Sequence, residues 1–495
     1  MNPPAIQDLK RIWKQSALLA FFSALAGLWR TSALYGFLLG PGYRAENARL
    51  RQTALSRVVA APLEALTVLL QAFGERLKGS ITSRLLEAAA GMSHLVLVLV
   101  AAYPIIDYYL RSHPALVGSA GIWKELLFLL GLLLVLARIA VNRGEKFHFT
   151  PLDLPLLLFF GTGVALYLFR SPEPAVALDG FRVTFEYLLW YYVAANISLN
   201  FRKQRIFVLS LVAAAFPVAL YGIFQYVTGA PMPASWVDQA EAGVRTRAYS
   251  IIGSPNILGC YLVLVIPPAA ALFRSCNSRR LRFLLGAALL TMLGCLVVTF
   301  SRGAWLAFLA AALLYGLLQD KRVLALILAG AILLPVVSPS VAGRLQYTFS
   351  SRYLESSARG GRLARWELAA DRLIKHPVTG VGLGRFGGAT ADRFRMPGTF
   401  YVDNYYLKLA AETGFTGLIV FLWVLLRALR MLAGVIRDVS SDPEKRALAC
   451  GIAAGLVGVL VHNGVENVFE VPMMQTLFWA ILGATTQLPE RVPDG

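Results

Sequence analysis

The sequence predicts an all-α, polytopic integral membrane protein, and three observations carry that expectation. Only 15% of the residues are charged while 57% are hydrophobic. The mean hydropathy is +0.61, which lies outside the usual soluble range. Apolar runs of the length needed to cross a bilayer, about 20 residues, recur along the chain. They fall at 93–111, 122–141, 152–169, 180–198, 204–227, 255–274, 281–300, 303–319, 321–338, 415–433, 447–463 and 470–487, giving about twelve transmembrane helices.

The formal net charge of +19 does not point to nucleic acid, because the basic residues are spread between apolar runs rather than gathered in a stripe with stacking aromatics. They report topology instead. Alternate connections carry Arg138, Arg143 and Lys146; Arg202, Lys203 and Arg205; Arg274, Arg279, Arg280 and Arg282; Lys321 and Arg322; and Arg427, Arg430, Arg437, Lys445 and Arg446. Loops enriched in Lys and Arg stay in the cytoplasm, so both termini are expected there and 339–402 becomes a long extracytoplasmic loop.

The chain therefore divides into an N-terminal region, 1–91, nine transmembrane helices over 92–338, the outer loop 339–402, and three C-terminal transmembrane helices within 403–488. The apolar runs Ser16 to Leu28 and Val58 to Phe73 are interrupted by Arg30, Glu64 and Glu75, as in amphipathic helices lying on the cytoplasmic membrane surface. A spanning helix over 16–40 is the alternative. Met1 to Lys14 is not followed by a cleavage pattern, so a first transmembrane helix is expected to serve as the insertion signal. Cys260, Cys276, Cys295 and Cys450 lack the spacing of a zinc site or a disulfide framework, and no metal ligands or cofactor are assigned.

Several expected spans carry almost no ionisable group at mid-length, which argues against an ion pathway. Polar residues gather instead on the expected outer side: Arg245, Arg247 and Asn256; Ser301 and Arg302; Arg359, Arg362 and Arg365; Asp403 and Asn404; His462, Asn463, Glu466 and Asn467. The outer loop holds ten basic residues against four acidic ones, and nine of the ten are Arg, whose planar fork grips phosphate oxygens in pairs. An anionic, membrane-anchored ligand fits this loop; attraction to lipid headgroups is the plainer explanation. Leu363, Trp366, Ala370 and Leu373 recur at helical spacing, predicting an amphipathic interfacial helix. Pro377 ends it, and Gly380, Gly382 and Gly384 permit tight turns.

Asn256 is a candidate cap for the helix that follows Ser254 and Pro255, and Arg302 falls in a tight outer hairpin. Asp403 stands where a helix begins, so it is either an N-cap or a carboxylate able to take a proton or orient a sugar. Lys408 and Glu412, four residues apart, can pair on one helix face. Gly414 and Gly417 allow the helix to break. Glu466 is a reserve base, with capping or pairing to His462 as the ordinary alternative.

In order, the segments TRAYSIIGSPNILG, TFSRGAWLA, GGRLARWELAADRLIKHPVTGVGLGRFG, DNYYLKLAAETGFTG and HNGVENVFEVPMMQTLFWAILG resemble the O-antigen ligase and O-antigen polymerase superfamily, whose core is called the Wzy C-terminal domain. The resemblance covers 247–483. It implies a metal-independent, inverting glycosyltransferase of the bacterial cytoplasmic membrane with an extracytoplasmic active site. The implied partners are an undecaprenyl-pyrophosphate-linked glycan, a glycan or lipid acceptor, membrane lipids and polysaccharide-assembly proteins. By position, Arg362 or Arg365, with Arg247 and Arg302, would hold the pyrophosphate. Asp403, with Glu466 in reserve, would be the catalytic carboxylate, and Asn404 and Glu412 would contact the sugar or acceptor. Ligases of this family usually begin the fourth segment with His-Asn; Asp403-Asn404 here favours a polymerase-like member. The alternatives are en bloc transfer to lipid or protein, and a lipid-linked oligosaccharide flippase, which would need polar mid-membrane helices and inverted repeats.

Overall fold

A computed structural model describes residues 41–233, 246–319, 338–398 and 400–489, with Trp236 and scattered positions between 320 and 337. The alternative span at 16–40, most of the expected span at 321–338, and Arg245 lie outside the described residues. The described chain is helical: α1 Tyr43–Arg51, α2 Ala54–Leu77, α3 Ile81–Gly91, α4 Leu95–Ala101, α5 Tyr103–Ser112, α6 Trp123–Val141, α7 Asp153–Phe169, α8 Pro174–Phe185, α9 Trp190–Asn196 and α10 Phe201–Thr228. There follow α11 Pro255–Ser275, α12 Arg279–Val298, α13 Arg302–Leu318, α14 Pro339–Thr348, α15 Ser351–Ala358, α16 Arg362–Lys375, α17 Ala389–Arg393, α18 Tyr405–Asp438, α19 Pro443–His462 and α20 Pro472–Thr485.

Among the described residues, six helical segments are long and apolar enough to cross a membrane: Ser56–Leu77, Phe201–Thr228, Pro255–Ser275, Arg279–Val298, Tyr405–Asp438 and Pro443–His462. A seventh results if α3 and α4, bent by 44°, count as one span; α7 and α13 are shorter apolar helices. The protein is thus a multi-pass membrane protein; among the described residues fewer helices meet that length and apolarity than the about twelve spans expected. The expected span 93–111 is broken where Pro104 opens α5. The expected span 180–198 is divided between α8 and α9 by a 3-10 turn, Glu186–Leu189. The expected span 470–487 contains only the 14 residues of α20, about 21 Å of helix at 1.5 Å per residue, short of the ~30 Å hydrocarbon layer. Its side chains from Met473 to Thr485 are buried. Conversely Ser56–Leu77, expected to lie on the surface, has the length and apolarity of a span.

Helices α11 and α19 form the centre of the bundle. Gly451, Gly455 and Gly458 line the face of α19 turned to α11, and a Cβ on Gly455 would stand 2.4 Å from the Leu264 carbonyl oxygen. Small residues at this spacing let two backbones approach closely in a membrane bundle. Because the two helices run antiparallel, the start of α11 meets the end of α19, and α13 and α18 also begin at this end. The other end of α18 carries Arg427 and Arg430, which pair with buried Glu46 of α1 at 2.8 and 3.0 Å. Beyond a break at Gly414, the 24 residues Phe415–Asp438 make about 36 Å of helix toward that end.

Helix α18 is interrupted at Gly414, whose φ of 68° and ψ of −172° break the ladder and free neighbouring backbone groups. The glycine-rich loop after α16 supplies their partners. Val381 N–H donates to Ala411 O at 2.9 Å, Gly382 N–H to Glu412 O at 3.1 Å, and Phe415 N–H to Pro377 O at 2.7 Å. A Cβ at Gly414 would meet the Val378 oxygen at 2.3 Å. The segments HPVTGVGLG and ETGFTG therefore close on each other, fixing α16 and the loop over the start of α18.

Candidate active site

The converging helix ends enclose a cleft of about 750 Å³. Its wall draws Arg247 and Asn256 from the approach to α11, Arg302 from α13, Arg344 from α14, Arg362 and Arg365 from α16, Asp403 from the turn before α18, and Glu466, Asn467 and Glu470 from the connection between α19 and α20. Six of the eight residues expected at the site therefore share one cavity although 219 positions separate the outermost, Arg247 and Glu466.

The arginines are built in by the turns around them. Between α12 and α13, Phe300 adopts a φ of 49° and the Ser301 side chain caps α13 by accepting from Ala304 N–H. This tight turn offers two carbonyls: Thr299 O accepts Arg247 Nε–H at 2.9 Å, and Phe300 O accepts Arg344 Nε–H at 2.7 Å. Arg247 is buried; its remaining nitrogens donate to Trp236 O at 2.8 Å and Asn256 Oδ1 at 2.9 Å. Burial and the nearby Arg344 and Arg302 charges depress its pKa to about 9. Arg302 donates to the Thr348 hydroxyl at 3.2 Å and lies over the Tyr353 ring, 4.7 Å from its centroid, a favourable cation–π distance.

The carboxylates lie among these cations. Arg365 Nη1–H donates to Asp403 Oδ2 at 3.1 Å and Arg362 Nε lies 3.7 Å from the same oxygen. Asp403 itself has a φ of 53°, a left-handed conformation that Asp tolerates better than most residues. Trp366 Nε1–H to Val402 O at 3.1 Å and Asn404 N–H to Asn467 Oδ1 at 3.1 Å hold the backbone on either side of it. Burial raises the Asp403 pKa despite the opposing pull of Arg362 and Arg365. Burial, then the Asp403 charge, raises that of Glu466. Glu466 accepts from Asn256 Nδ2–H and from Asn467 N–H at 3.2 Å, so a polar chain runs from Arg247 through Asn256 to Glu466.

The remaining expected residues have these partners. Asn404, expected to contact sugar, caps α18 by accepting from Leu407 N–H at 3.1 Å. Asp403 is left uncommitted as a cap. Ser254, not Asn256, caps α11. Glu412 lies behind the cleft, fully buried, pairing with Lys408 at 2.7 Å and accepting from Phe386 N–H at 3.0 Å. Its pairing with Lys408 was foreseen; its burial, and the joining of Glu470 to Lys408 at 3.2 Å, were not. Glu466 is paired with Asn256 rather than His462. Arg344 has no signal that sets it apart from the ten basic residues of its loop, and Glu470 has none beyond its charge.

The fold and cleft define a multi-pass membrane protein with a cationic, carboxylate-bearing cavity at one end of its helix bundle. Residues 287–422, roughly a quarter of the chain, match the family model described as O-antigen ligase, so this region is similar to that family. The match spans the α12–α13 turn, α16, the glycine-rich loop and the start of α18. No curated protein matches the chain.

Proposed function

We propose that this protein is a membrane glycosyltransferase that takes a glycan from an undecaprenyl-pyrophosphate carrier and passes it to a hydroxyl, extending a surface polysaccharide on the outer face of the bacterial cytoplasmic membrane. The observation that carries the reading is the single cleft in which five arginines face Asp403, Glu466 and Glu470. The basic far end of α18 supports a cytoplasmic location for that end, and hence an extracytoplasmic cleft.

In the proposed reaction Asp403 accepts the proton of the acceptor hydroxyl. The acceptor oxygen forms a bond to the anomeric carbon from the face opposite the leaving group, and the bond from that carbon to the phosphate oxygen breaks. The electron pair departs with the lipid pyrophosphate and the anomeric configuration inverts. Arg247, Arg302, Arg344, Arg362 and Arg365 stabilise the developing phosphate charge, as fixed cations do strongly in a partly dehydrated site. The amino ends of α11, α13 and α18 add positive potential. Glu466, tied to Asn256 and Asn467, orients the acceptor or sugar.

The Asp403-Asn404 pair, where ligases of the family usually have His-Asn, favours extension of a lipid-linked glycan over en bloc transfer to lipid A core or protein. A flippase fits poorly, because the ionisable groups of the cleft lie at one end of the bundle. In vesicles supplied with an undecaprenyl-pyrophosphate oligosaccharide, Arg302→Ala is expected to reduce turnover at least tenfold, while Arg427→Ala at the far end leaves it near wild type. Equal losses in correctly inserted proteins remove the cleft from consideration.

A further inference from the structure

We propose that the donor's phosphates and Asp403 compete for the same two arginines, so that donor binding itself releases Asp403 for proton transfer. This rests on the glycosyltransferase reading and adds an order of events: donor first, acceptor second.

The five cleft arginines are not equivalent. Arg247 and Arg302 are held by neutral groups: carbonyls and an amide oxygen for the former, a hydroxyl and tyrosine rings for the latter. Their charges remain available to an incoming anion without displacing a carboxylate. Arg362 and Arg365 differ, since both converge on one oxygen, Oδ2 of Asp403. A diphosphate carries more oxygens and more charge than one carboxylate and matches the guanidinium fork. To use these two cations it must take the place of Asp403.

Asp403 does not need to move for this exchange. Its backbone is pinned on both sides, through Val402 O to Trp366 and through the Asn404 amide to Asn467. The cations move instead: the Arg362 and Arg365 side chains are 26% and 35% exposed, and their long flexible stems can swing to a phosphate while helix α16 stays docked. Donor binding thus changes the charge around Asp403 while leaving its position fixed. An opposite charge nearby favours the ionised carboxylate; neutralising Arg362 and Arg365 with phosphate raises the proton affinity of Asp403 and makes it a better base. Before the donor arrives, those same cations hold Asp403 as their counter-ion and a weaker base.

The test is equilibrium binding of glycan-free undecaprenyl pyrophosphate to the full-length protein in phosphatidylcholine nanodiscs. Removing the internal counter-ion should expose the arginines, so Asp403→Asn is expected to bind the probe about tenfold tighter than wild type. Asp403→Ser, also neutral, should do the same, which guards against a folding defect in either variant. In an Arg362→Ala, Arg365→Ala background Asp403→Asn should give no tightening. Unchanged or weaker binding by both neutral variants overturns the competition and makes Asp403 an anchor for Arg365. Wild-type protein that binds no pyrophosphate lipid overturns the glycosyltransferase reading as well. Tightened binding with turnover retained in Asp403→Asn refutes Asp403 as the base while upholding the competition.

Discussion

Replacement of Lys408 by Met tests how the cleft is held. The Lys408, Glu412 and Glu470 side chains are 4%, 1% and 3% exposed, with the ammonium 2.7 Å from one carboxylate and 3.2 Å from the other. Lys408→Met leaves two buried carboxylates without their shared cation. Removing one partner of a buried ion pair typically costs about 3–5 kcal/mol, and the same loss is expected here. Asn467 Nδ2–H, which donates to Glu470 at 3.1 Å, and Phe386 N–H on Glu412 offset part of it. Burial raises the Glu470 pKa even in the intact protein. With Lys408 gone, the folded state binds the Glu470 proton more tightly than the unfolded state. A folded pKa above the unfolded one makes stability fall as pH rises between the two values, so the deficit of Lys408→Met should be large at pH 7.5 and smaller at pH 5. Thermal unfolding in detergent at both values measures this. Lys408→Met combined with Glu412→Gln and Glu470→Gln should recover much of the loss. An unchanged unfolding temperature at pH 7.5, or a triple variant less stable than the single one, refutes the reasoning.

Four further outcomes follow from the geometry. Gly414→Ala should destabilise the protein by at least about 2 kcal/mol, because a Cβ there meets the Val378 oxygen at 2.3 Å and L residues are strained at that φ; thermal unfolding reports it. Because Asp403 must be ionised to accept a proton and burial raises its pKa, activity should fall on acidification through a value above the ordinary carboxylate range of about 4. Arg365 lowers that pKa, so Arg365→Ala should move the acidic limb of the kcat/KM profile, which reports the donor-free enzyme, upward, and an unmoved limb contradicts the assignment. Arg302→Lys should raise the donor KM several-fold, since an ammonium keeps the charge but loses the planar fork.

Much of this site was legible because hydropathy and charge pattern report where helices end, and the cleft is built from helix ends. The segments holding Arg247, Arg302, Arg362, Arg365, Asp403 and Glu466 each stood out as polar residues beside apolar runs. Local pattern could not say which neighbour a side chain takes. Asn256 had the residue type of an N-cap, yet Ser254 caps α11 and Asn256 bridges Arg247 and Glu466. Spacing lets Glu412 pair with Lys408 on one helix face but says nothing of burial, which comes from the tertiary closure of the glycine-rich loop over Gly414. Helix count was less legible, because apolarity alone does not separate the short, enclosed α20 from a lipid-facing span.

The most direct measurement of the central claim is product size from purified protein in lipid vesicles given an undecaprenyl-pyrophosphate oligosaccharide, comparing wild type with Asp403→Asn. A ladder of lengthened glycans that disappears in the variant, with insertion and folding intact, is the predicted result. A ladder of equal intensity from both proteins contradicts the assignment of Asp403 as the base. No lengthening by wild type, with pyrophosphate lipid released only when a foreign acceptor is added, contradicts extension and makes the protein a ligase.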